Sequence, residues 1–245
     1  MDGDLGSLLC DAAHSGDLSE VRRLVARGAD VDSRGFQGRT ALQLSILHPA
    51  TLQFLLKNGA SPHLLDHNGV LPLHEAAYEQ SGESVAFLLA APDIDVNAKT
   101  NLGFTPLHCL LNRGFTGIYI NGENKKRALS CLIEAGADVD AVTNSGRSAL
   151  DIALCRGLRE PVKILLRAGA FKNLKTAVEY GRSPHNAAAF AVYDRVKAAG
   201  DWKAYARKHQ RVLAGLVRKC APRLPDDAAR HVVGFWTPPG GSYMC

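Results

Sequence analysis

Short stretches of apolar residues at helical spacing recur along the first two thirds of the chain. Leu73 and Leu107 are each followed by a pair of small or aliphatic residues, Ala76-Ala77 and Leu110-Leu111. This spacing is typical of a short helix that buries one side. A second apolar stretch follows each such helix and predicts second helices over residues 18–26, 50–57, 83–90, 126–134 and 160–167. The pattern therefore predicts an all-α fold built from pairs of helices.

The residues at the ends of these predicted helices recur at a nearly constant interval. The first helices are predicted to open at Ser7, Thr40, Leu71, Thr105 and Ser148, which are 33, 31, 34 and 43 residues apart. Thr40, Thr105 and Ser148 are suited to cap a helix start, and Pro72 and Pro106 to the first helical position. About twenty residues after each start comes a turn suited to end the second helix. Its residues are Gly28-Ala29, Gly59-Ala60, Gly136-Ala137 and Gly169-Ala170, with Pro92-Asp93 in the third unit.

The motifs Leu71-Pro72-Leu73-His74 and Thr105-Pro106-Leu107-His108, at this interval, resemble the ankyrin repeat. The resemblance covers residues 6–170 and divides them into repeats at 6–38, 39–69, 70–103, 104–146 and 147–170. It implies a solenoid of stacked helix–turn–helix units. It also implies that His74 and His108 are structural, with hydrogen bonds to the helix start and the adjacent turn.

The same resemblance implies that the chain is a protein-protein interaction module or adaptor. Stacked first helices and turn tips form a concave surface in such arrays, and exposed positions there are the candidates for binding another protein. The candidates are Asp11, His14, Arg34, Phe36, His48, Glu75, Tyr78, Glu79, Asn112, Arg113, Tyr119 and Arg156. Further turn-tip candidates are Gln37, His67, Asn101, Leu102 and Asn144.

The fourth repeat is longer than the others, and its additional residues fall in an apolar and aromatic segment at 115–123 that contains Tyr119. An insertion between two helices of one repeat maps to a loop on one face, often a binding face. Two interpretations stay open. The segment contributes to partner binding, or it packs on the neighbouring repeat.

Composition and motifs narrow the functional classes. We find no phosphate-binding loop, nucleophile elbow or zinc-protease motif, so we expect no enzyme, no cofactor and no metal site. The six cysteines are scattered singly, which favours free thiols in a reducing compartment. We expect a cytoplasmic monomer, with the nucleus as an alternative location. Lys125-Lys126-Arg127 is too short a basic run to serve as an import signal by itself.

The remaining residues, 171–245, differ in charge from the array. They contain 13 Lys and Arg against 5 Asp and Glu, whereas residues 1–170 contain 16 against 19. Helices are predicted over 186–199 and, with an apolar sector and a basic remainder, over 201–220. One interpretation is a helical cap on the last repeat. Another is a basic helix that contacts a membrane or nucleic acid, although we expect neither as the main partner.

A third interpretation of this tail is a docking box. Residues 212–220, Leu224-Pro225 and residues 228–235 resemble a SOCS box, and Leu-Pro before a short apolar helix is similar to the opening of an F-box. Both resemblances imply the substrate-recognition subunit of a cullin-RING ubiquitin ligase, with elongin or a Skp-type protein as adaptor. Val217 stands where a SOCS box usually has cysteine. The docking residues would be Leu213, Leu216, Val217, Leu224, Pro225, Val232 and Phe235.

Overall fold

The computed structural model describes residues 5–112, 122–170 and 187–200, together with Ala204. These residues form helices joined by turns, and two isolated β-bridges, Arg34 with Thr40 and Val142 with Ser148, each close a turn. The all-α prediction is confirmed. The helices are α1 Leu5–Ser15, α2 Leu18–Ala26, α3 Ala41–Leu44, α4 Pro49–Lys57, α5 Pro72–Tyr78, α6 Gly82–Leu89, α7 Pro106–Asn112, α8 Gly122–Glu134, α9 Ala149–Cys155, α10 Arg159–Arg167 and α11 Ala187–Ala198, with a 3-10 turn at Phe36–Gly38.

The first ten helices form five pairs, and equivalent helices of successive pairs pack on one another. First helices contact first helices, as α5 contacts α7, and second helices contact second helices, as α6 contacts α8. A leucine at the same place in each first helix is fully buried at the centre of this stack. Burying each such side chain contributes roughly 1.5–3 kcal/mol. The five leucines are Leu9, Leu42, Leu73, Leu107 and Leu150.

Helix boundaries follow the sequence pattern with a few exceptions. The prediction for α2 is confirmed at both ends, and α4, α6 and α10 each begin one residue earlier than predicted. Ser7 does not open the first helix, because α1 already begins at Leu5. The start predicted for α8 at residue 126 is also wrong, since the helix begins at Gly122. Gly122 and Glu123, which we assigned to the inserted loop, are therefore helical.

The third repeat replaces the glycine that ends a second helix with Asp93. The glycines at this place in the other repeats have φ between 88° and 93°, and Asp93 adopts the same left-handed region with φ 58°. Aspartate enters this region more readily than most residues with a side chain. The left-handed residue is thus kept without glycine, although it follows the helix cap Ala90 by three residues rather than one. The equivalent glycines are Gly28, Gly59, Gly136 and Gly169.

The second repeat, which is two residues shorter than the standard interval, has an abbreviated first helix. Helix α3 covers only four residues, whereas α5, α7 and α9 each cover seven. The chain after α3 buries Ile46, whose carbonyl accepts a hydrogen bond from Ser84 Oγ at 2.6 Å. The next residue, Leu47, is left 56% exposed. In this shorter repeat an exposed aliphatic side chain, Leu47, thus lies between α3 and α4.

Helix α11 covers the end of the array. It packs against α10 and α9 and buries Phe190, Val192 and Val196. Gly200 follows it with φ 92°, and its N–H donates to the Lys197 carbonyl, as the glycines after the second helices donate to theirs. The helix predicted over 186–199 is thus present and stacks like a further second helix beyond residue 170.

Backbone hydrogen bonds link the tips, by which we mean the turns at 34–39, 65–70, 99–104 and 142–147. The N–H of His67 donates to Gln37 O at 3.1 Å, that of Asn101 to Asn68 O at 3.1 Å, and that of Asn144 to Leu102 O at 3.2 Å. Each linking residue lies over a tip glycine of the preceding repeat. A Cβ atom on Gly103, for example, would lie 2.3 Å from Asn144 Oδ1.

Replacing Gly103 with alanine tests how much this close approach contributes. Gly103 has φ 75°, and its Cβ would also lie 2.7 Å from the Asn144 backbone nitrogen, so G103A must strain the backbone and separate two tips. Gly146 is a matched control, because it has φ 76° but no atom of the described residues lies within 4 Å of its Cβ position. We expect urea unfolding to show a loss of about 1 kcal/mol for G146A and clearly more for G103A. Equal losses would show that the contact between tips contributes nothing.

Candidate protein-binding surface

In the second and third repeats, one residue near the start of the first helix bonds to the cap of that helix and to the backbone of the adjoining repeat. In the second repeat it is Gln43, whose side chain accepts from the Thr40 N–H at 2.9 Å and donates to Val70 O at 2.7 Å. In the third repeat His74 Nδ1 accepts from the Leu71 N–H at 3.1 Å. His74 Nε2 faces Ala98 O at 2.9 Å and Phe104 O at 3.1 Å. The prediction that His74 is structural is confirmed.

His108 occupies this position in the fourth repeat and is fully buried. Its Nδ1 accepts from the Thr105 N–H at 3.2 Å and lies 2.8 Å from Thr105 Oγ1, as expected for a structural histidine. Nε2 faces the carbonyls of Ala141 and Arg147 but, among the described residues, closes no hydrogen bond of good geometry. Burial lowers the pKa of His108 to about 4, against the opposing effect of these carbonyls. The imidazole is therefore neutral near pH 7.

The neighbouring Cys109 does not form a nucleophilic pair with His108. Burial, with a smaller contribution from the Glu75 carboxylate, raises the pKa of the Cys109 thiol to about 12. A cysteine nucleophile needs a thiolate, and its partner base must accept a proton near neutral pH. Burial raises the pKa of the thiol and lowers the pKa of the imidazole, so neither requirement is met. The adjacency of the two residues in sequence is thus a packing feature.

The predicted binding residues fall into two groups by exposure. Asp11, His14, Arg34, Phe36 and Tyr78 are exposed, and Phe36 is the most exposed of them at 85%. Residues of the second group are half-buried and make contacts within the array. These are His48, Glu75, Glu79, Asn112 and Arg156. Arg113, Tyr119 and the seven docking residues of the tail lie outside the described residues.

His48 is not the freely exposed residue that its position in the sequence suggested. Its Nε2 lies 3.2 Å from the His14 carbonyl, and its ring covers Gly16 so closely that a Cβ there would be 2.3 Å from Nδ1. The shortened first helix of this repeat brings His48 to the start of α4, against the preceding repeat. The side chain that this repeat exposes instead is Leu47. The 31-residue interval was the signal in the sequence for this shift.

Ion pairs and hydrogen bonds between repeats fix the positions of several charged side chains among the predicted binding residues. Arg39 Nη2 and Glu75 Oε1 form an ion pair between the second and third repeats. Burial raises the pKa of Glu75, and Arg39 opposes that effect. Arg156 Nη2 donates to Asn112 Oδ1 at 2.9 Å between the fifth and fourth repeats. Arg34 Nη1 donates to the Leu65 carbonyl at 2.6 Å.

The exposed large hydrophobic side chains of the described residues lie outside the second helices. Phe36, Leu65 and Leu102 lie on tips, Tyr78 ends α5, Leu47 lies between α3 and α4, and Leu8 lies on α1. Among the described residues the second helices carry none. We call the tips and the exposed sides of the first helices, with the residues that directly follow them, the tip-and-helix face. Leu47 and Leu65 were missed in the sequence because neither belongs to the repeating motif.

Several other features bear on the class of protein. Within residues 5–112, 122–170 and 187–200 no group of His, Cys, Asp and Glu is arranged to hold a metal ion. Cys10, Cys109, Cys131 and Cys155 are free thiols. In the described part of the chain no helix has the length and apolar character to cross a membrane.

Comparison with known proteins agrees with this architecture. A family model for ankyrin repeats in three copies matches residues 9–100 and, in an overlapping match, 48–119. The ankyrin repeat protein YahD of Escherichia coli is 27% identical over 196 residues, covering 65% of this chain and 94% of YahD. Human B-cell lymphoma 3 protein is 32% identical over 207 residues, covering 67% of this chain and 43% of that protein.

Human ankyrin repeat and SOCS box protein 3 is 36% identical over 94 residues, covering 38% of this chain and 16% of that protein. The chain thus spans nearly all of YahD but less than half of the two human relatives. Helix pairs, tips and family matches together identify the chain as an ankyrin-repeat protein. Such arrays present extended surfaces for binding other proteins.

The buried histidines predict how stability depends on pH. The unfolded chain protonates His108 near pH 6.5, whereas the folded chain does so only near pH 4. Burial also lowers the pKa of His74. The free energy of unfolding should therefore fall as the pH decreases from about 6.5 to about 4.

Glutamine serves in the second repeat at the same position, so H108Q should keep the helix cap and reduce this dependence on pH. Urea unfolding across this pH range measures the free energy of unfolding of the unchanged chain, of H108Q and of H74Q/H108Q. The double variant should show the smallest dependence on pH. An unchanged slope in the double variant would contradict the assignment.

Proposed function

We propose that this protein is an interaction module or adaptor that binds a partner protein through the tip-and-helix face. The observation that supports the proposal is the segregation of exposed apolar side chains. They lie on tips and along the first helices, and the described second helices carry none. Exposed apolar side chains are frequent at the surfaces through which soluble proteins bind partners.

The composition of the face also suits binding. Phe36 and Tyr78 offer large side chains with few rotatable bonds, and aromatic residues are frequent among those that contribute most to binding. The half-buried pairs Arg39–Glu75 and Arg156–Asn112 hold polar groups in fixed positions beside them. A surface that is ordered before binding loses less conformational entropy when a partner binds.

Variants of the face test the proposal. Leu102→Asp changes a side chain that is 69% exposed at a tip, and Tyr78→Ala removes a ring that is 41% exposed at the end of the first helix of the third repeat. Each should weaken binding by about fivefold or more, because truncating a central interface residue costs more than about 1 kcal/mol. Affinity purification of the whole chain with quantitative mass spectrometry identifies candidate partners, and calorimetry with the purified partner gives the change in Kd.

Ala50→Asp is the matched control, because Ala50 is exposed near the start of α4 on the other side of the array. A carboxylate there is favourable for the helix, so the fold should persist. The proposal requires partners that both face variants lose and the control retains. Partners that survive both face variants, or are lost equally in A50D, would place binding elsewhere.

A second candidate function is substrate recognition for a cullin-RING ubiquitin ligase. Its support is the resemblance of residues 212–235 to a docking box, together with the SOCS box in the name of one human relative. In this proposal the array selects the substrate and the tail binds the adaptor. Leu213, Leu216, Leu224, Pro225, Val232 and Phe235 would contact the adaptor, while Val217 departs from the usual cysteine.

Co-expression of the whole chain with elongins B and C, and separately with a Skp-type protein, tests this second function. We expect one adaptor to co-purify with the chain, and Leu216→Ala to abolish its retention by removing an apolar contact. Arg218→Ala, two residues away on the basic side of the predicted helix, should retain it. If neither adaptor binds, the ligase function is excluded and the interaction module stands alone. Release from heparin or anionic vesicles at about 0.3 M salt would instead identify a basic contact helix.

A further inference from the structure

The tip at 142–147 has nearly the same internal structure as the tip at 99–104. In each of them the hydroxyl of a threonine, Thr100 or Thr143, accepts at 3.2 Å from the N–H of the residue that follows the tip glycine. The N–H of that glycine, Gly103 or Gly146, donates to the carbonyl of the same threonine at 2.8 or 2.9 Å. The φ angles of the two glycines are 75° and 76°. A residue that fits one of these tips should therefore find the same backbone groups on the other.

The tip at 99–104 holds an asparagine of the following repeat. Asn144 donates its backbone N–H to Leu102 O at 3.2 Å and its side-chain Nδ2 to Asn101 O at 3.0 Å. It lies over Gly103, which is buried. The two accepting carbonyls thus belong to the residues one and two positions before the tip glycine.

The tip at 65–70 holds a second asparagine in the same way. Asn101 donates its N–H to Asn68 O at 3.1 Å and its Nδ2 to His67 O at 3.3 Å. It lies over the buried Gly69, and a Cβ atom there would be 3.0 Å from the Asn101 nitrogen. The array therefore contains two examples of one mode of recognition, in which an asparagine uses both its backbone and its side chain.

The tip at 142–147 offers the same groups without such a residue among those described. The equivalent carbonyls are those of Asn144 and Ser145, and no donor in the described part of the chain bonds to either. Both residues and Gly146 are exposed, and no described atom lies within 4 Å of the Cβ position of Gly146. The Ser145 hydroxyl lies 3.0 Å from Thr143 Oγ1 and so stays within the tip.

We infer that this tip is a subsite for an asparagine of the bound protein, which donates its backbone N–H to Ser145 O and its side-chain amide to Asn144 O and lies over Gly146. The inference rests on the proposed function, because the tips belong to the tip-and-helix face, and it specifies the chemistry of the partner. The neighbouring tip exposes 69% of Leu102. The partner segment therefore presents its asparagine in a turn, close to an apolar residue that contacts Leu102.

The two carbonyls select asparagine over related side chains. Both are acceptors, so the ligand must supply two donors, and a carboxamide supplies the second where an ionised aspartate offers only acceptors. Hydrogen bonds within the tip hold the carbonyls in position before binding. A ligand therefore orders little of the protein when it binds.

Selection from a phage library of disulfide-closed random loops, with the whole purified chain as bait, tests the subsite before the natural partner is known. Selected loops should share an asparagine close to an apolar residue. In a synthetic loop, replacement of that asparagine by Asp or Ala should weaken binding about fivefold or more, because the bond to Asn144 O is lost. Methylation of its backbone nitrogen should weaken binding to a similar extent, because the donor to Ser145 O is lost. Calorimetry with the whole chain gives each Kd.

Gly146→Ala changes the subsite from the side of the protein. Its methyl group would occupy the space of the bound asparagine, so G146A should also weaken binding of the loops about fivefold or more. Gly169→Ala is the matched control, because Gly169 is exposed, has φ 93° and has no described atom within 4 Å of its Cβ position, but lies after α10. G169A carries similar backbone strain and should bind the loops unchanged. Thermal unfolding of both variants excludes loss of the fold as the cause.

Selected loops that share no asparagine, or whose affinity survives both the change to Asp and G146A, would overturn the subsite. Self-association of the chain that G146A abolishes in sedimentation would assign the tip to a second copy. A loss of stability in G146A well beyond that in G169A would show that the chain fills the subsite itself. Either result also overturns the inference. The proposed function fails separately, if natural partners still bind to L102D and Y78A.

Discussion

The residue three positions after the first-helix cap joins the second repeat to the third and the third to the fourth. Gln43 and His74 each bind the amide that opens their own helix and also reach the backbone of the next repeat. A single side chain thus satisfies a local need of the helix and fixes the distance to its neighbour. The buried leucine column contributes free energy to the stacking, but leucines by themselves do not specify a register. His108 closes no second hydrogen bond of good geometry within the described residues, so the joint between the fourth and fifth repeats rests more on packing.

The contacts between repeats are similar along the array, whereas the exposed side chains differ from repeat to repeat. This difference explains how one scaffold can support specific recognition. The second helices of the described chain bury their apolar residues and expose polar ones, so they have little to offer a partner. The tips and first helices tolerate Phe36, Leu102 and Tyr78 because their backbone bonds are already satisfied within the stack. The polar pairs also vary along the array, from Arg39 with Glu75 to Arg156 with Asn112. Specificity therefore resides in side chains that the fold does not need.

Sequence periodicity predicted the repeats, most helix ends and the structural histidines, because each depends on local chemistry such as capping, glycine turns and helical spacing. It failed where an effect acts between repeats. His48 looked exposed because its covering of Gly16 depends on the shortened α3. Gly122 looked like a turn residue because Asn-Gly favours turns, yet the fold continues α8 through it. The packing of α11 on α10 agrees with a helical cap on the last repeat, which was one interpretation of the tail, although no repeat motif specifies it. The exposure of Leu65 follows from the shape of a tip rather than from its residue type.

The open space beside Gly146 shows how further repeats could join the array. Every earlier tip glycine lies beneath a residue of the following repeat, whereas nothing described lies within 4 Å of the Cβ position of Gly146. Each of these turns thus offers the same contact site to the following repeat. No described residue occupies the site beside Gly146. An array built this way gains or loses members by duplication or deletion of one unit, since the new junction reproduces an old one. The number of repeats can therefore change in evolution while every junction keeps the same contacts, and the extent of the exposed surface grows with that number.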